Sequence, residues 1–286
     1  MKALTDWLLA QRQRLVIVAI VTAPLLPIVT AALLALETTR RGAAKGATSA
    51  AFGVVGLSLL AAVSRTGVVA FAMVGLVSMG AGVLVGSVIR WAGNLVLAFQ
   101  VVWLMCFAAV LAFGALGPDP AVVFAPILKD FSEVLSAPPG NEEQVTEIVA
   151  RLAQTLPAAT VLIVLAGTLL LGYWWSTVAS GQPSFGAEFR QLKLGRWLGS
   201  TATLVAALGL VFNAPLVQNL LPMAVVGFLF QGLAVTHAWV HAKQWHPALL
   251  VVLYLLLVVP PVAIVVTVVG LVDNWLDLRK PVRSAA

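Results

Sequence analysis

The chain has 286 residues, 61% of them hydrophobic and only 10% charged, with a formal net charge of +6 and a mean hydropathy of +1.02. A soluble domain carries about 25% charged residues, so this composition excludes one and points to helices that cross a bilayer, each needing about 20 apolar residues. The ten-residue alternation of a membrane barrel is absent, and a lone cysteine, Cys106, excludes an intrachain disulfide or a cysteine metal site.

The first apolar run, 15–36, follows Lys2, Arg12 and Arg14 and so has the outline of a secretory signal. It is nonetheless expected to stay attached, because it continues to Leu36 and further membrane segments follow directly. The later runs fall at 47–63, 67–89, 94–114, 158–180, 197–213, 220–241 and 248–272. The first and last runs are broken by prolines near their middles, Pro24 and Pro27 in one, Pro260 and Pro261 in the other. Proline removes a backbone donor and clashes with the preceding turn. Each broken run is therefore either one kinked span or a hairpin of two short helices that leaves by the side it entered.

Charge separates these alternatives. With eight single crossings, the basic residues outside the 115–157 loop divide eight against seven, and the positive-inside rule chooses no side. With two hairpins, 14 of those 15 residues share one side and only Arg65 lies opposite. Tryptophan, which favours membrane interfaces, agrees: Trp7, Trp91, Trp174, Trp175, Trp197, Trp239, Trp245 and Trp275 lie near segment ends on that basic side, and Trp103 alone is mid-span. The expected fold is thus all-α, a polytopic helical membrane bundle of about six full spans plus proline-broken first and last segments. It would form a single domain, 1–286, with both termini on the cytoplasmic side of a bacterial inner membrane.

Within it, 115–157 carries a net charge of −4 and reads as an extracytoplasmic insertion. Phe124, Ile127, Leu128, Phe131 and Leu135 keep helical spacing, as do Val145, Ile148, Val149, Leu152 and Leu156. Ala137-Pro138-Pro139-Gly140 separates them, and Asn141 followed by Gln144 reads as a helix start. Two amphipathic helices are expected on the outer face.

Chemistry is sparse. No full span carries a central Asp, Glu, Lys or Arg, and no hydrolase, metalloprotease or nucleotide-binding signature occurs, so neither an enzyme nor a cofactor is expected. No metal site or nucleic-acid partner is expected either. Polar candidates for binding a small substrate are Gln100 and Gln231, well inside their spans, and His237, which shares a helical face with His241. For each glutamine the competing role is an interhelical hydrogen bond. Ser78, Gly82 and Gly86 form a small-residue ladder at four-residue spacing, and Ala31 and Ala35 repeat the pattern.

Charge gathers in FGAEFRQLKLGRW, 185–197, where Glu188, Arg190, Lys193 and Arg196 interleave with Phe185, Phe189 and Trp197. Such an elbow holds orientation and meets anionic headgroups. FGAEFRQLKLGR, GFLFQGLAVTHAWV at 227–240 and GLVDNWLDLRK at 270–280 together resemble the YybS-like family of bacterial multi-pass membrane proteins. That family is distantly similar to the substrate-binding S components of energy-coupling factor transporters. The resemblance implies a small-molecule binding or transport subunit, and Ala31-xxx-Ala35 is similar to the motif by which S components meet their coupling protein. It also marks Glu188, Phe189, Arg190, Lys193 and Arg196, with Asp273 and Asp277, as contacts for a membrane or cytoplasmic partner. The alternative is a scaffold that carries no cargo and recruits a partner through its basic loops.

Overall fold

The structure, a computed structural model, describes residues 2–65, 67–116, 142–182, 184–212 and 214–280. Among these residues there are twelve helices and no strand: α1 (Lys2–Ala10), α2 (Arg12–Thr22), α3 (Pro27–Arg41), α4 (Ala43–Val63), α5 (Val68–Ala92), α6 (Leu95–Leu116), α7 (Glu142–Ser180), α8 (Phe185–Phe189), α9 (Gly195–Val211), α10 (Pro215–Ala242), α11 (Ala248–Leu256) and α12 (Pro260–Leu276). Five are long and apolar enough to cross a membrane, namely α4, α5, α6, the Pro157–Ser180 part of α7 and most of α10. The bent pair α11–α12 would make a sixth if counted as one span. The sixth span expected from the sequence is α9, which at 17 residues reaches about 25 Å and lies at the short end of spanning length. The fold is that of an all-α, multi-pass membrane protein.

Prolines set the breaks. Pro27 opens α3 and Pro260 opens α12, positions where the missing N–H costs nothing and the fixed φ suits a helix start. Both broken segments turn back on themselves. In the first, the Thr22 and Thr30 hydroxyls lie 2.7 Å apart across the break, and Arg41, at the end of α3, donates to the Leu9 carbonyl just before α2. In the last, α11 and α12 are bent by 115°. His237 Nε2 on α10 lies 3.0 Å from the Tyr254 hydroxyl on α11, and Trp239 Nε1 donates to the Leu278 carbonyl at 3.3 Å. A segment that leaves after Ala242 therefore ends beside Trp239, which is the hairpin arrangement rather than the single crossing.

The loop expectation divides. Residues 117–141, holding the first amphipathic stretch, the proline break and the Asn141 cap, lie outside the described residues. The second stretch does not form a separate helix: 142–156 open the 39-residue α7, which runs through Pro157 into the membrane segment.

The chain forms two compact units, one of residues 1–102 with 164–192 and the other of 103–163 with 193–286. In the first, Leu15, Leu33, Leu34, Leu57 and Met79 build the core. Here α3 lies directly on α5, because a β-carbon at Gly82 would fall onto the Ala31 carbonyl and one at Gly86 onto the Ala35 carbonyl. The two small-residue patterns are thus the two halves of one contact. Ala31 and Ala35 are 1% and 0% exposed, so they are not available as a surface motif for a coupling protein.

In the second unit α10 is the most buried of the spanning helices. It crosses α12 at another backbone-to-backbone contact, where a β-carbon at Gly232 would strike the Val266 carbonyl and one at Gly270 the Phe228 carbonyl. Trp103, the tryptophan out of place in the interfacial pattern, is fully buried, and its Nε1 donates to the Met223 carbonyl at 2.9 Å. Its ring fits because Gly227 lacks a β-carbon. By contrast Trp91, Trp197 and Trp275 are exposed, as expected of interfacial rings.

Candidate functional site

The second unit joins two residues that the sequence assigns to different tasks. Gln231 is completely buried. Its Oε1 accepts the Leu194 N–H at 3.0 Å, and its Nε2 donates to Asp273 Oδ2 at 2.8 Å. Asp273 is itself gripped from a second side: Arg279 Nη2 donates to Oδ2 at 2.6 Å and Arg279 Nε to Oδ1 at 3.2 Å. Asp273 and Arg279 are 3% and 2% exposed. A planar guanidinium matches a carboxylate with two parallel donors, so the charges are neutralised where they are removed from water.

This network has a local cause. Asp277 ends α12 in the left-handed conformation, φ 47°, which aspartate tolerates better than most residues. The turn that follows carries Arg279 back over the last turn of α12 to Asp273. Gln231 then ties α12 to the backbone of Leu194, immediately before α9. Asp273 is thereby an interior residue, whereas Asp277 stays partly exposed.

In the first unit Glu188 has a comparable task. Its carboxylate accepts the Leu95 N–H at 2.8 Å, at the first residue of α6, and the Tyr173 hydroxyl of α7 at 2.7 Å. An acceptor at a helix N-terminus satisfies a backbone donor that has no partner within the helix, and its negative charge favours the dipole. Phe189 and Leu192 are buried beside it. The elbow is thus pinned from within by Glu188 and Phe189. In the stretch from Arg190 to Arg196, Lys193 and Arg196 are exposed and Arg190 is half-buried.

The remaining candidates fall elsewhere. Gln100 is half-buried on α6 in the first unit, not in the unit that holds Gln231. His237 faces Tyr254, with ring centroids 5.9 Å apart edge to face, and links α10 to α11. Among the described residues no group of three His, Cys, Asp or Glu could hold a metal ion.

Two participants escape a reading by spans. Arg279 looks like one more terminal cation until the turn at Asp277 is known. Glu37 lies in the last turns of α3 with no exposure at all; its Oε1 pairs with Arg41 at 3.2 Å, while Oε2 has no hydrogen-bond partner. Glu37 and Arg41 stand four apart in ETTRR at 37–41, an ion-pair spacing on one helix face that could have marked them. Comparison of the chain with family models, curated proteins and solved structures finds no match.

Proposed function

We propose that this multi-pass membrane protein is an interaction subunit: it presents a basic end, made of Lys193 and Arg196 at the start of α9 and the turn after α12, to a protein partner on the cytoplasmic side of a bacterial inner membrane. One observation carries this reading. Gln231, the most deeply placed polar candidate for a ligand, has both ends of its amide engaged by the chain's own Leu194 and Asp273. It acts as a tie that holds α9, α10 and the end of α12 in register, and the same tie fixes Lys193, Arg196 and Asp277 as one surface. The test is photo-cross-linking in intact cells from residues 193 and 277. One dominant partner is expected, and a diffuse profile with no dominant partner defeats the reading.

A small-molecule binding role, as in S components, is favoured by a different observation. In the first unit Glu37 Oε2 and the hydroxyls of Thr38, Ser49 and Thr168 are buried without hydrogen-bond partners, and polar groups in that condition are unusual. A ligand that used them would raise the thermal stability of the purified protein. Screening against vitamins and lipids with no shift argues against this second reading.

A further inference from the structure

We propose that the groove between α2 and α4 binds one anionic phospholipid, with its headgroup on Arg12 and an acyl chain along the apolar trough beyond. Two recesses make the groove, and Ile17 lines both. One, of about 650 Å³, takes in Arg12, Gln13 and Phe52. The other, of about 440 Å³, is lined by apolar residues alone, from Ile17 and Val21 on α2 to Leu60 and Val63 on α4. Ligand pockets run from about 300 to 1,000 Å³, and both recesses fall within that range.

The trough has a local cause. A β-carbon at Gly56 would fall on the Ile20 side chain, so α2 closes on α4 at that point, while Ile17, Val21, Leu59 and Leu60 stay exposed around it. Because α4 is long and apolar enough to cross a membrane, these exposed side chains belong in hydrocarbon. Lipid tails are as apolar as leucine, hence the trough positions a chain without choosing between lipids. Selection falls to the other end of the groove.

Arg12 supplies it. This residue is half-buried, and it has no hydrogen bond or ion pair among the described residues. Nearby arginines are committed: Arg14 donates to the Trp7 carbonyl at 3.4 Å and lies over the Trp7 ring at 5.0 Å, while Arg41 is held by Glu37 and the Leu9 carbonyl. No carboxylate lines either recess. A guanidinium drawn partly out of water keeps five donors to satisfy, and a phosphate meets it with paired oxygens. One cationic end joined to one wholly apolar end is complementary to a phospholipid; a free anion leaves the trough unmatched, and a neutral apolar molecule leaves Arg12 unmatched.

The test reconstitutes the full chain in nanodiscs of phosphatidylcholine and phosphatidylglycerol and measures, by native mass spectrometry, the phosphatidylglycerol retained on the protein. A cation near the surface contributes about fivefold to anionic lipid binding, so Arg12→Gln should lower retention by about fivefold. Arg12→Lys keeps the charge and should stay within about twofold of the wild type. The control, Arg40→Gln, removes an exposed charge of the same unit that lines neither recess and should also change retention less than about twofold. Val21→Trp with Leu60→Trp fills the trough from two exposed positions and should displace the lipid, with a loss as large as that of Arg12→Gln; gel filtration checks that each variant is folded. No loss in Arg12→Gln, an equal loss in Arg40→Gln, or an Arg12→Lys loss as large as that of Arg12→Gln overturns the site. A loss in Arg12→Gln that the tryptophan pair does not reproduce overturns the lipid as occupant, because the anion is then held by charge without the trough.

Discussion

Among the described residues, each unit of this protein buries a carboxylate beside an arginine of the same segment, and the two are finished differently. Asp273 meets Arg279 through both oxygens and receives a third hydrogen bond from Gln231. Glu37 meets Arg41 through one oxygen, and its other oxygen has no hydrogen-bond partner. The arginines differ too, for the Arg279 side chain is 2% exposed and that of Arg41 28%. A buried ion pair contributes to stability only when its geometry is good and its remaining valences are satisfied. The Asp273 network meets that condition and serves as structure. The Glu37 pair does not, and its open oxygen is where the first unit has room for a further hydrogen-bond donor.

The contrast can be broken most sharply at Arg279. Arg279→Met leaves Asp273 buried with no counter-ion and should lower unfolding free energy by about 3–5 kcal/mol, read by chemical denaturation in detergent. Adding Asp273→Leu should restore most of the loss; a double variant no better than the single would show that Arg279 acts otherwise. Arg41→Met also leaves a fully buried carboxylate, Glu37, without its counter-ion and should cost about 3–5 kcal/mol, as Arg279→Met does. Gln231→Leu strands the Leu194 N–H and one Asp273 interaction and should cost about 1–3 kcal/mol. A cost near zero would return Gln231 to the list of ligand residues. Glu37→Gln should change stability least, by under about 1 kcal/mol in either direction, since it removes a charge that is only half paired. A loss as large as that for Arg279→Met would mean the two carboxylates are equivalent after all.

Much of the fold was legible because each signal has a local cause. Twenty apolar residues in a row permit few conformations but a helix, and α4, α5, α6 and the end of α7 follow their runs closely. The hairpins could be argued from prolines together with charge, two features that act through backbone sterics and headgroup attraction. The site was less legible. Gln231 was visible as a buried polar residue, yet its partners lie 37 and 42 positions away, and no periodicity reports such pairings. Asp273 and Glu188 looked like surface charges because each stands near a segment end; the turn at Asp277 and the start of α6 draw them inward. Gly232 and Gly270 left no ladder to notice, since a contact made by one glycine from each helix has no repeat.

The six-residue spacing of Asp273 and Arg279 bears on how the protein is made. Both charges belong to a single segment, so their pairing does not wait for α10 and α12 to meet. As the last helix leaves the ribosome, the turn at Asp277 can fold Arg279 onto Asp273 and convert two isolated ions into one neutral unit before that end of the helix is packed. Gln231 then recognises a finished ion pair rather than a bare carboxylate, and helix assembly becomes the proofreading step for the charge, not its rescue.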